Sequence, residues 1–152
     1  MTEQGSAATN HSSISREKDS MQINMVCFFV TDMVTMTRFY SEVMGFVVKE
    51  GGTADSPYTA FDGDGIRFSM FKRELLPGIL GQTPGYPQGL NGTMEIAFNV
   101  GEKSNVDKVY EEWLAKGAKS VYAPRDEPWK MRSAMIADPE GNLVEIGSDF
   151  WK

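Results

Sequence analysis

The chain is short of the residues that most often do chemistry. Its 152 residues hold one cysteine, Cys27, and one histidine, His11. A lone cysteine excludes an internal disulfide framework, and without an export signal it fits a reducing cytoplasm. The histidine lies in a polar opening segment, so residues 21–152 contain no imidazole. Basic charge is also scarce: 15 Lys and Arg stand against 21 Asp and Glu, a net charge of −6, which argues against nucleic acid as a partner. No apolar run approaches membrane-spanning length, and no basic stretch leads into an apolar one as in a signal peptide. Neither a membrane partner nor export is expected.

What remains is a chain with 41% hydrophobic residues, enough for one globular domain. Residues 1–20, "MTEQGSAATNHSSISREKDS", offer almost nothing to bury and read as a disordered tail. The domain is expected over 21–152.

Periodicity organises that domain. "INMVCFFV" (23–30) reads as a buried strand, with Asp32 as the N-cap of a following helix. Met36, Phe39, Tyr40, Val43 and Met44 make one apolar helical stripe, closed by Gly45. Strands are expected at 46–50, 58–62 and 66–72, with "DGDG" turning between the last two. The second half repeats the pattern. "TMEIAFNV" (93–100) alternates as a strand, and Ser104 with Asp107 resembles a capping box. The next stripe is Val106, Val109, Tyr110, Trp113 and Leu114, ended by Gly117, and strands follow at 120–123, 131–137 and 142–147. The two stripes coincide at an offset of 70 residues, which marks an internal repeat. The expected fold is α+β: two tandem βαβββ units, 21–72 and 93–152, joined by a Pro/Gly-rich connection at 73–92. Their curved mixed sheets would surround a cleft. The connection's "LLPGIL" cluster suggests a lid or a dimer contact.

Strand parity names the cleft face. If the apolar positions pack on the helices, Met25, Cys27 and Phe29 face inward with Arg67, Ser69 and Phe71. In the second unit, Glu95, Ala97 and Asn99 face inward with Leu143, Glu145 and Gly147. With nothing to activate its thiol, Cys27 reads as a small hydrophobe.

Three stretches, "VTDMVTMTRFYSEVMGF" (30–46), "PRDEPWKMR" (124–132) and above all "DPEGNLVEI" (138–146), carry a resemblance to the vicinal oxygen chelate superfamily. That superfamily groups glyoxalase I, extradiol dioxygenases, fosfomycin-resistance enzymes and bleomycin-resistance proteins. The resemblance covers residues 21–150 and implies the glyoxalase/bleomycin-resistance fold, commonly built as a homodimer. It also implies four symmetric metal-ligand positions, which fall here on Met25, Ser69, Glu95 and Glu145. Two carboxylates without imidazole suit Mg²⁺ or Mn²⁺ and do not suit zinc, iron or nickel.

Candidate ligand contacts on the first unit are Phe29, Arg67, Ser69 and Phe71. On the second they are Glu95, Asn99 and Glu145, together with Arg132 and Trp129, whose ring could stack on a planar ligand. A purely structural role for Glu145 would pair it with Arg67 or Arg132. Three functions stay open at this point. One is a binding module holding a small cationic or aromatic molecule in an acidic, aromatic-lined cleft, with no cofactor. Another is a divalent-metal-dependent lyase, isomerase or transferase of the glyoxalase or fosfomycin-resistance type using Glu95 and Glu145. The third is a structural protein whose cleft is filled by its own side chains.

Overall fold

Hydrophobic β-branched and aromatic residues form strand β1 (Met25–Val30), and Asp32 starts the helix after it. Its carboxylate accepts the Thr35 backbone N–H at 3.0 Å and the Thr35 hydroxyl at 2.7 Å, satisfying a donor that the first turn leaves free. Helix α1 (Met33–Arg38) then passes into a π-helical turn over Phe39–Val43, where the stripe spacing predicts plain α-helix. The Ser41 hydroxyl donates to the Thr37 carbonyl at 2.8 Å, competing with the helical ladder. The Met44 N–H reaches back five residues to the Phe39 carbonyl. Phe39, Tyr40 and Val43 keep their buried positions, while Met44 is half-buried.

Strands β2 (Val48–Glu50), β3 (Tyr58–Phe61) and β4 (Arg67–Lys72) complete a sheet of order β1-β4-β3-β2. In it β1 runs parallel to β4 and the other pairs are antiparallel. β2 is shorter than its apolar run because Phe46 turns into the aromatic core, 5.8 Å from Phe61. The connection is not featureless. A 3-10 turn at Arg73–Leu75 leads into helix α2 (Leu76–Leu80), with Pro77 in its first turn and Gly81 closing it at φ 69°.

The second unit repeats the topology. It comprises β5 (Asn91–Asn99), α3 (Lys103–Ala115), β6 (Lys119–Asp126), β7 (Arg132–Ala137) and β8 (Asn142–Gly147), in the order β5-β8-β7-β6. Helix α3 begins one residue before the expected cap, after Glu102, and no side chain caps it. The Ser104–Asp107 capping box does not form: Ser104 lies inside the helix, and Arg132 on the helix-facing side of β7 holds Asp107. β6 extends well beyond the expected 120–123 and carries two register shifts against β7.

The computed structural model describes residues 22–63 and 65–149; the expected tail, residues 1–20 with His11, lies outside them. Among the described residues no helix is long and apolar enough to cross a membrane.

One core serves both units and is built from the helix-facing sides of both sheets: Phe28, Tyr40 and Met70 from the first, Val106, Trp113, Ile136 and Ile146 from the second. Phe46 meets Phe98 at 5.8 Å across the junction, and the Tyr40 hydroxyl donates to Asp138 at 2.7 Å. The opposite sheet faces are left to form the site.

Candidate functional site

β8 runs parallel to β5 with Glu145 opposite Ala97 and Leu143 opposite Glu95. Glu95 and Glu145 are therefore diagonal neighbours on adjacent strands and share one face, as parity requires. Met135 flanks Glu145 from β7, and Tyr122 lies beyond it on β6. Glu95 is exposed, whereas Glu145 is only 9% exposed. No ion pair among the described residues involves either carboxylate. Burial, then the charge of Glu95 and a hydrogen bond with it, then the charge of Glu127, push the Glu145 carboxyl up to about 7.

Glu127 has partners of its own. Its Oε1 accepts from Arg125 Nε at 2.7 Å and from the Ser133 hydroxyl at 2.9 Å, and these bonds hold its carboxyl below the usual range. The Arg125 guanidinium is stacked 4.0 Å above the Tyr122 ring. Arg125 therefore neutralises Glu127, and no cation among the described residues is paired with Glu95 or Glu145.

On the first sheet, Met25 lies opposite Arg67, Cys27 opposite Ser69, and Phe29 opposite Phe71. Ala60 and Tyr58 from β3 extend the last two rows. Cys27, Ser69 and Ala60 make a floor of small side chains. The Tyr58 hydroxyl spans this floor to the Met25 sulfur at 3.8 Å, and Ser69 is fully buried. Phe29 and Phe71 meet edge to face at 6.5 Å. Arg67 is exposed and lines a polar cavity of about 400 Å³ with Lys49, Glu50 and Tyr58. A second cavity of about 300 Å³ lies beside Phe29, walled by Leu76 and Leu80 of α2, Tyr86, Met94 and Cys27. Burial pushes the Cys27 thiol up, so it is a poor nucleophile at neutral pH.

The candidate residues thus fall into two groups and some outliers. Phe29, Arg67, Ser69 and Phe71 share the first sheet's face, and Glu95 and Glu145 share the second's. Asn99 is on that second face too, but its side-chain oxygen accepts the backbone N–H groups of Gly101 and Asp149 at 2.9 and 3.1 Å, so it holds a turn. Trp129 is 65% exposed between β6 and β7. Arg132 does not join the site. Alternation along β7 puts Ser133 and Met135 on the Glu145 face and Arg132 on the helix side. There its Nε and NH2 groups grip both Asp107 oxygens at 2.6 and 2.8 Å. Neither Arg132 nor Arg67 is paired with Glu145.

The sequence reading missed Tyr58, Tyr122, Arg125 and Glu127. The last two sit in "PRDEPWKMR", a stretch whose charged residues flank a strand end. A signal for them was present in the alternation of Arg and Glu at 125 and 127.

The four metal positions that the family resemblance implies do not assemble within the chain. Ser69 is sealed beneath Tyr58, the Met25 sulfur receives the Tyr58 hydroxyl, and both lie on the first sheet. Glu95 and Glu145 remain, two carboxylates on the second sheet. A hard divalent ion takes about six or more oxygen ligands. Among the described residues no group of three or more His, Cys, Asp or Glu side chains could hold such an ion. The described residues of one chain therefore do not complete a metal site by themselves.

Comparison with known proteins places the fold. The chain is 27% identical over 128 residues to the uncharacterized protein YraH of Bacillus subtilis, covering 83% of this chain and 97% of that one. A crystal structure of a glyoxalase/bleomycin resistance protein/dioxygenase from Nocardioides superimposes with a TM-score of 0.73 at 21% identity, covering 86% of this chain and 84% of the other. Lactoylglutathione lyase from Agrobacterium tumefaciens superimposes with a TM-score of 0.68 at 19% identity, covering 86% and 96%. At such identities the likeness is one of fold, and fold alone does not fix activity. The family model of the Glyoxalase/Bleomycin resistance protein/Dioxygenase superfamily matches residues 22–146. Duplicated βαβββ topology, shared core and matched length agree: the chain belongs to that superfamily.

Proposed function

We propose that this protein binds a small organic molecule carrying a cationic group, which it holds against Glu95 and Glu145 without transforming it. One observation carries the reading: Glu145, a residue only 9% exposed, stands beside a second carboxylate with no basic side chain among the described residues paired to it. A buried acidic group is costly unless it is paired or neutralised. A ligand that supplies the cation relieves that cost.

The aromatic wall of the site would come from a second copy in a homodimer. Met25 and Phe29 leave nearly half their surface exposed on the first sheet, at 46% and 45%. The first-unit face of a second copy, laid over the Glu95–Glu145 face, would bury both and close the cleft. The lone half-buried cysteine fits action in the cytoplasm.

A second reading has an observation in its favour. A carboxyl that titrates near neutrality suits a general base, as a metal-dependent lyase, isomerase or transferase using Glu95 and Glu145 would need. The two readings separate in a thermal melt with benzylamine, benzamidine, Mg²⁺ and Mn²⁺ at matched ionic strength, run on the protein and on Glu145→Gln. A ligand that binds only the folded state raises the midpoint by mass action. The expected result is a rise with the organic cations in the unaltered protein alone. A rise with Mg²⁺ or Mn²⁺ that Glu145→Gln abolishes would support the enzyme. No rise with any of them would leave Glu145 a structural residue.

A further inference from the structure

We infer that the cavity beneath the connection between the two units is a second binding site, and that it takes a small monocarboxylate with an apolar body whose carboxylate is gripped by Arg73. Neither Glu95 nor Glu145 lines it. The connection closes on itself over this cavity. Arg73 opens the segment just after β4, Tyr86 stands further along it, and the Tyr86 hydroxyl donates to the Arg73 carbonyl at 3.5 Å. Helix α2 lies between them in the chain, and its Leu76 and Leu80, with Pro84 and Tyr86, form one wall. Cys27 and Phe29 of β1 and Met94 of β5 form the other. The volume of about 300 Å³ is at the small end of the range for ligand pockets, about 300–1,000 Å³.

Arg73 is the one charged side chain in that lining, and it is held in place without an acidic partner. Its Nε donates to the Phe29 carbonyl at 2.8 Å, and its Nη1 donates to the Thr31 hydroxyl at 3.4 Å. The guanidinium carbon sits 4.5 Å from the centre of the Tyr86 ring, so an aromatic face fixes its plane. These contacts orient the group and leave its charge unmatched. Arg38, Arg125 and Arg132 each have a carboxylate within reach, whereas no ion pair among the described residues includes Arg73. Its Nη2 donors have no partner among the described residues. A guanidinium so oriented binds a carboxylate through parallel hydrogen bonds.

The walls set the rest of the ligand. Leu80 and Met94 keep about half their surface exposed beside the cavity, at 51% and 45%, and an apolar body between them gains by covering it. The two asparagines of the lining bond to each other at 3.1 Å, and Asn142 also donates to Asp138, so polar groups on that body would find few free partners. A second negative charge finds no second cation in the lining, and a positive one is repelled by Arg73.

Isothermal titration of the full-length protein with phenylacetate, set beside its neutral amide phenylacetamide, tests the site. Phenylacetate is expected to bind once per chain, and the amide about tenfold or more weakly, the loss of a charge-assisted pair. Arg73→Gln should weaken phenylacetate by about tenfold or more, and Arg73→Lys, which keeps the charge without the planar fork, by less. Cys27, the chain's only cysteine, gives a second reading that needs no variant. Saturating phenylacetate should slow its alkylation by iodoacetamide severalfold, and phenylacetamide at the same concentration should not. No binding of phenylacetate, or binding that Arg73→Gln leaves unchanged, would overturn the inference. Equal binding of acid and amide would overturn the role of Arg73. Binding with unchanged Cys27 alkylation would put the carboxylate outside this cavity and overturn the inference as well. None of these outcomes bears on the Glu95–Glu145 reading, which benzylamine tests.

Discussion

Glu145→Gln is expected to stabilise the unliganded protein by about 2–3 kcal/mol at about pH 8 and to change it little below about pH 4. The reasoning follows the proton. In the unfolded chain the carboxyl titrates near its ordinary 4.5, whereas in the folded protein it titrates at about 7. Between those values the folded state binds the proton that the unfolded state has released, so stability falls as pH rises through the window and levels off above it. Glutamine is neutral at every pH and escapes that loss. Urea unfolding at the two pH values measures it. Identical midpoints for variant and parent at about pH 8 would mean that Glu145 is ionised in the fold at no cost. Stability gained while binding is lost is the pattern of a site residue held against its own preference.

Asp138→Ala should act in the opposite sense, lowering stability by about 3 kcal/mol or more, because it orphans several buried donors at once. The carboxylate is 2% exposed. Its Oδ1 accepts the backbone N–H groups of Glu140 and Asn142, both at 2.9 Å, and its Oδ2 accepts the Tyr40 hydroxyl at 2.7 Å and Asn142 Nδ2 at 2.8 Å. Three of these bonds fix the turn that launches β8 and aims Glu145. The fourth ties α1's π-helical extension in the first unit to the second. Burial and the nearby Asp138 charge push the Tyr40 hydroxyl well above its ordinary range, so it stays a donor at any physiological pH. Urea unfolding reads the loss directly. A variant as stable as the parent would show that the turn is held by Gly141 and backbone bonds alone.

Much of this was legible in the sequence, and what failed did so for definable reasons. Alternation along 93–100 and 142–147 placed Glu95 and Glu145 on one face because those strands pair in register through that stretch. The same counting breaks on β6, where two register shifts set Tyr122 opposite Met135; a bulge resets parity, and no local pattern announces it. Asp107 reads as a capping residue from its neighbours alone, but Arg132, 25 positions away, offers two charge-assisted bonds that a cap cannot match. Strand parity put Ser69 and Cys27 on one face, and the two stand opposite each other on β4 and β1. The burial of Ser69 depends on how Tyr58 leans over the floor of small residues, a choice of side-chain direction that spacing does not encode.

The most direct test of the cation site is a carboxyl-carbon NMR titration of the glutamates, with Glu145 assigned by its loss in Glu145→Gln. The Glu145 signal should titrate at about 7 in the free protein and fall by about one unit or more when benzylamine is present. A Glu145 carboxyl that titrates near 4.5 and ignores the amine would contradict both the strained pair and the ligand it is proposed to hold.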